Sequence, residues 1–124
     1  MRAIYRTGPD GSFIIRTVAP IGYSIPMDGT VGELMHRTEI SHMRPAHIHF
    51  MVEAPGYHRL VTHLFQRGCP YIETDVVYGV KEPLIVDFEK KPAGTAPNGD
   101  KVDTPYYVIN YDFVLQKTAK AAAA

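Results

Sequence analysis

An all-β fold, an antiparallel β-sandwich or barrel, is what this sequence predicts, on three observations. Short runs rich in β-branched and aromatic side chains recur along the 124 residues, ten glycines and ten prolines punctuate them, and helical periodicity is almost absent. The length suits one domain with a modest core, predicted over residues 1–116, followed by a low-complexity tail at 117–124 that is expected to be frayed or artificial. No internal repeat and no interdomain linker is visible.

Taken in order, Arg2 to Arg6 reads as a short strand, and Thr7-Gly8-Pro9-Asp10-Gly11 is dense in turn residues. Phe13 to Val18 reads as the second arm of a hairpin. Ala19 to Pro26 is expected to be an extended loop around Tyr23. After the turn chemistry of Asp28 to Gly32, Glu33 to His36 suits one or two helical turns. Ser41 to Arg44 leads into a strand through Phe50, a turn follows at Ala54 to Tyr57, and Arg59 to Phe65 alternates as another strand. A turn at Arg67 to Pro70 and a polar segment from Tyr71 to Asp75 precede a strand at Leu84 to Phe88. Residues 89–105 are rich in Lys, Pro, Gly and Asp and read as a long surface loop. Tyr106 to Leu115 alternates well and is expected to close the fold.

Thirteen basic and thirteen acidic residues give a net charge of zero, which argues against an electrostatic grip on nucleic acid or on an anionic membrane. The expected partner is a small molecule or another protein. The lone Cys69 has no partner for an internal disulfide and reads as structural; no apolar run approaches a membrane span. A soluble, cytoplasmic chain is expected.

The chemistry concentrates in Arg44-Pro45-Ala46-His47-Ile48-His49-Phe50. Strand side chains alternate faces, so His47 and His49 share one face, with Ala46, Ile48 and Phe50 on the other. Two neutral imidazoles on one stiff element make a pair of ligands suited to zinc, copper or iron; the plainer reading is a pair of core or surface histidines. His63 falls on a third strand-like segment, while His36 and His42 read as solvated loop residues. For Tyr23, taken by itself, a loop tyrosine capping the core is the simpler reading.

Asp10-Gly11 through Arg16-Thr17, Tyr23-Ser24-Ile25-Pro26 with Asp28-Gly29, and the Arg44 to Phe50 motif form one pattern. Ala54-Pro55-Gly56-Tyr57, Leu60-Val61-Thr62-His63, Tyr71 with Asp75, Tyr78-Gly79-Val80-Lys81 and Tyr111-Asp112-Phe113 continue it. Over Ile4 to Leu115 the chain thereby resembles the catalytic domain of the intradiol ring-cleavage dioxygenases, most like the hydroxyquinol and catechol enzymes. The resemblance implies a β-sandwich of the intradiol type, N-terminally shortened, and a non-heme ferric ion. It also implies a small aromatic diol and O2 as substrates. It carries over Tyr23, His47 and His49 as metal ligands, Arg44 and Tyr23 as catalytic residues, and His63 as a wall of the substrate pocket. Phenolate is a hard, charged donor that favours Fe(III), and a fixed guanidinium stabilises negative charge developing on a ring. An ordinary buried ion pair is the other reading of Arg44.

The pattern departs from the family at its start. The family's other tyrosinate belongs to a Gly-Pro-(Phe/Leu)-Tyr type motif upstream of the segment aligned with Ile4, and Tyr5 is not in that motif. Two expectations follow. One is an intradiol dioxygenase; the other is a truncated, non-catalytic β-sandwich that binds metal or assembles with another chain. A homo-oligomer, or pairing with a chain that supplies the absent strands, is expected in either case.

Overall fold

The computed structural model describes residues 2–119, and over them backbone pairing, more than side-chain composition, decides where strands form. In order these are β1 (Tyr23–Ser24), α1 (Gly29–Thr38), β2 (Met43–Arg44), β3 (His47–Val52), β4 (Leu60–Gln66) and β5 (Ile85–Val86). Then come β6 (Glu89–Lys91), β7 (Gly94–Thr95), β8 (Lys101–Val102) and β9 (Tyr106–Val108), with 3₁₀ turns at Ile72–Thr74 and Glu82–Leu84. Contacts gather residues 20–88 and 109–119 into one compact unit and residues 2–19 and 89–108 into another. The fold is all-β with one helix, as expected.

The first unit is built on the β3–β4 ladder. Its antiparallel register pairs Ile48 with Leu64, Phe50 with Thr62 and Val52 with Leu60 on one face. Phe113 packs its ring 4.8 Å from Phe50 on that side, and Tyr111 stacks edge-on to Phe113 at 4.9 Å. The other face carries His47 opposite Phe65, His49 opposite His63 and Met51 opposite Val61. Alternation therefore delivers the shared histidine face that the sequence predicts. β5 adds to β4 in parallel, an exception to the expected all-antiparallel pairing, and β1 pairs with β2 so that Tyr23 lies opposite Arg44.

α1 runs ten residues, longer than the one or two turns predicted, and places His36 on its exposed surface instead of in a loop. Gly32 and Met35, one turn apart, form its buried side. A Cβ at Gly32 would run into the Met27 carbonyl, so only glycine lets the helix start this close to the preceding chain. The helix stops at Glu39, which takes the left-handed conformation at φ 56°.

Other expectations need correction. Residues 2–6 and 13–18 form no strands; the turn between them is real, closed by Gly8 N–H donating to the Ser12 carbonyl at 2.7 Å, but neither arm finds a ladder partner. β-branched composition favours a strand only where another strand offers its N–H and C=O groups. The Ala19 to Pro26 loop contains β1. The expected strand at Leu84 to Phe88 is a 3₁₀ turn followed by the two residues of β5, and the Tyr71 to Asp75 segment holds the other 3₁₀ turn. The Tyr106 to Leu115 strand is reduced to β9, beyond which Tyr111 and Phe113 make the aromatic contacts already described.

The predicted loop at 89–105 contains β6, β7 and β8. Asn98-Gly99, a hairpin signal, turns the chain between β7 and β8, with Gly99 at φ 86°. Of the expected tail, residues 120–124 lie outside the described residues. Lys117 bridges Tyr57, and Thr118 N–H donates to the Gly56 carbonyl at 2.9 Å, so the chain is held at those two positions.

Candidate metal centre

The site sits where β1, β2, β3 and β4 bring their side chains to one face. Pro45 ends β2 and turns the chain into β3, and its carbonyl accepts a hydrogen bond from His47 Nδ1 at 2.7 Å. Because a carbonyl only accepts, Nδ1 carries the ring proton and Nε2 is left with its lone pair. That lone pair faces two neighbours: Arg44 Nη1 at 3.1 Å and His49 Nε2 at 3.3 Å. Two nitrogens bound side by side to one ion at about 2.0–2.1 Å each would stand roughly 3 Å apart, so the histidine pair has the spacing of a bidentate donor.

Around this pair the rings crowd closely. Tyr23 lies with its centroid 5.6 Å from that of His47, and His63 lies 4.3 Å from His49 and 5.6 Å from His47. Phe65, fully buried, packs beneath His47 and His63 at 5.7 and 5.6 Å and gives both rings an apolar floor. Burial holds the His49 and His63 pKa values below the ordinary imidazole value, and the neighbouring imidazoles and Arg44 add to the shift. Both rings are therefore neutral near pH 7, the form in which imidazole binds metal.

Tyr23 is 45% exposed, so its phenol is open to a ligand. Gly22 before it is obligatory: a Cβ there would approach Tyr71 Cδ2 to 2.6 Å and the Arg44 carbonyl to 3.1 Å. Among the described residues no three His, Cys, Asp or Glu side chains converge as a metal-holding group. His63 thus stands beside the pair and does not complete a third imidazole corner. The phenol whose ring lies against His47 is that of Tyr23. Two imidazoles and a phenolate suit a hard trivalent ion better than a soft one.

Sequence reasoning gave no role to Asp75. It lies 31 residues beyond Arg44, buried to 4% exposure, and its Oδ1 accepts from Arg44 Nε at 3.2 Å. Its Oδ2 accepts from Gly79 N–H at 2.9 Å. Burial alone would raise its pKa, but the bonds from Arg44 and from the Gly79 and Val77 amides outweigh that, and the carboxyl is held below its ordinary range. The sole sequence signal for it was its place in the Tyr71 to Lys81 pattern. Cys69, expected to be structural, accepts the Ala46 N–H at its Sγ at 3.3 Å and so supports the entry to β3 from behind.

A family model described as "Dioxygenase" matches residues 2–117. The 6-chlorohydroxyquinol 1,2-dioxygenase of Cupriavidus pinatubonensis is 44% identical over 117 residues, covering 94% of this chain and 38% of that protein. The hydroxyquinol 1,2-dioxygenase of Nocardioides simplex is 44% identical over 115 residues, covering 92% and 39%. Among solved structures, hydroxyquinol 1,2-dioxygenase from Pseudomonas putida DLL-E4 superposes with a TM-score of 0.81 at 43% identity, over 91% of this chain and 40% of that one. The chain thus spans about two fifths of the length of the curated relatives it matches.

Proposed function

This chain belongs to the intradiol ring-cleavage dioxygenase family, and from that premise we propose that it takes part in opening a small aromatic diol, of the hydroxyquinol or catechol class, with O2. The bond opened joins the two hydroxyl-bearing carbons. The observation that supports this reading is the 3.3 Å approach of His47 Nε2 to His49 Nε2, with the His47 tautomer set by Pro45. In this reading His47, His49 and Tyr23 hold a non-heme ferric ion. Such an ion would supply Lewis acidity for activating the diol.

The rest of the chemistry falls to the protein. Tyr23 would supply its phenol oxygen to the ion, and β1–β2 pairing keeps it across from Arg44. Arg44, 7% exposed, holds a permanent positive charge beside the histidines. Placed in advance, it stabilises negative charge that builds on the substrate ring without reorganising at the moment of reaction. His63, neutral and tilted against His49 with the ring centroids 4.3 Å apart, forms a pocket wall for the ring.

Exposed apolar side chains in the same unit support a partner as well, either a second copy or a separate polypeptide covering them. The alternative of a non-catalytic sandwich that binds metal or assembles stands or falls with the same measurements. Purified protein should contain iron, show the visible phenolate-to-iron charge-transfer band, and take up O2 with hydroxyquinol or catechol to give the ring-opened dicarboxylic acid. Iron and colour without O2 uptake would favour the non-catalytic reading. Absence of iron after loading would end the metal assignment.

A further inference from the structure

Arg44 and Asp75 form a pair buried on both sides, with side-chain exposures of 8% and 2%, and the way each is held is unequal. Asp75 spends its whole carboxylate on the protein. Oδ1 takes Arg44 Nε at 3.2 Å and the Val77 N–H at 3.4 Å, and Oδ2 takes the Gly79 N–H at 2.9 Å. The loop that delivers those amides is strained for the purpose. Tyr78 adopts φ 52°, a conformation costly for a bulky side chain, and its own N–H donates to the Asp75 carbonyl at 2.9 Å. Turning the chain this way at Tyr78 aims the next amide, that of Gly79, inward at the carboxylate.

Arg44, by contrast, spends only Nε on Asp75. Nη1 points at His47 Nε2 at 3.1 Å, and Nη2 is buried with no hydrogen-bond partner among the described residues. A side-on bond at Nε anchors the guanidinium while leaving Nη1 facing His47 and Nη2 without a hydrogen bond among the described residues. Had Asp75 engaged the two Nη groups in the usual two-pronged fashion, the charge would be neutralised on the side facing the histidines.

We infer that Asp75, held by the 75–79 loop, is the positioning residue of this site: it clamps Arg44 at Nε and thereby presents Nη1 beside His47. The inference rests on the proposed ring-cleaving function for its catalytic meaning, and on the geometry alone for the clamp itself. Asp75 touches no metal ligand, so its removal should leave the donor set in place and weaken the step that Arg44 serves.

Two variants of the full chain test this. Asp75→Asn keeps the side-chain size but loses the charge and turns an NH2 or a single oxygen toward two groups of donors. Gly79→Ala is milder, placing a methyl 3.3 Å from Asp75 Oδ2 and 3.6 Å from Arg44 Nη2. In the metal-free wild type the Arg44 Nε–H should give a resolved, slowly exchanging proton resonance. Asp75→Asn should lose that resonance. With iron loaded, both variants should keep wild-type iron content and visible band; kcat should fall on the order of 10- to 100-fold in Asp75→Asn, less in Gly79→Ala, with KM moving far less.

A retained Nε–H resonance together with unchanged kcat in Asp75→Asn overturns the proposal. Loss of iron in step with kcat in Gly79→Ala also overturns it, because the loop would then be scaffolding for the metal. Should Asp75→Asn fail to fold, Gly79→Ala decides by the same signature. If the wild type shows no iron-dependent O2 uptake, the functional reading fails, yet the resonance still reports whether Asp75 holds Arg44.

Discussion

His47 owes its usefulness to what holds its other nitrogen. With Nδ1–H tied to the Pro45 carbonyl, the lone pair on Nε2 is the one that faces His49, so truncation of either ring removes half of a preorganised pair. His47→Ala and His49→Ala should each abolish stoichiometric iron binding by elemental analysis; equal iron in both variants and wild type would sink the ligand assignment. Tyr23 is half-exposed, and the change to Phe should cost under about 0.5 kcal/mol of stability. Iron-loaded Tyr23→Phe should nevertheless lose the visible band, and a full band would transfer the phenolate role to another tyrosine. At Asp75 the prediction concerns acid. Its carboxyl is held below the unfolded-chain value, so the stability it contributes is complete above about pH 4 and drains away as pH falls through the lowered folded value. Urea midpoints followed downward from neutral pH should therefore fall more steeply below that point for wild type than for Asp75→Asn; parallel curves would show that this carboxylate does not drive acid unfolding. The His47 and His49 pair was legible because residue type and spacing are local properties, whereas Tyr23 and the role of Arg44 entered only through the resemblance to the family. Asp75 was not legible, since what makes it matter is a contact made 31 residues away.

Between residues and molecule stands the β3–β4 ladder, which turns a repeat of two in the sequence into two chemically distinct faces. Both strands were readable, the first ending two residues short at Phe50 and the second displaced by one, because each alternates and each has the other as a partner. The segments at 2–6 and 13–18 have equally suitable side chains but no such partner, and composition is blind to that difference. The β7–β8 hairpin was missed for the converse reason: its residues are polar, and its evidence was the Asn98-Gly99 turn. Phe65 is the point where the ladder and the site meet, since its ring lies wholly buried under His47 and His63. Phe65→Ala should cost about 3–5 kcal/mol, the range for removing a buried phenyl ring, and should loosen both imidazoles above the cavity. A urea titration with unchanged slope and a lowered midpoint would agree; a loss under 1 kcal/mol, on the order seen at surface positions, would mean the floor is not holding the site.

At the scale of the molecule the balance of apolar side chains points outward. In the unit that holds the site, Met35, Ala46, Leu64, Phe65 and Val86 are the buried hydrophobic residues among those described, whereas Met51 and Val61 are 64% and 66% exposed. Those two are direct cross-strand partners and continue the histidine face, so they form one patch. Val31 and Leu34, three apart on α1, expose a second. Burying two such side chains gains about 3–6 kcal/mol, against an association cost of roughly 4–15 kcal/mol, so neither patch alone holds a partner firmly. A symmetric dimer doubles each contribution, because both copies present the same surface. The chain is therefore expected to self-associate in sedimentation at micromolar concentration and to remain associated in high salt, as apolar contacts are not screened by ions. Val61→Glu combined with Leu34→Glu should shift it toward monomer without changing iron content. A wild-type monomer at every concentration would mean that no second copy covers these patches, and pull-down against a separate polypeptide would then be the arm that remains of the partner proposal.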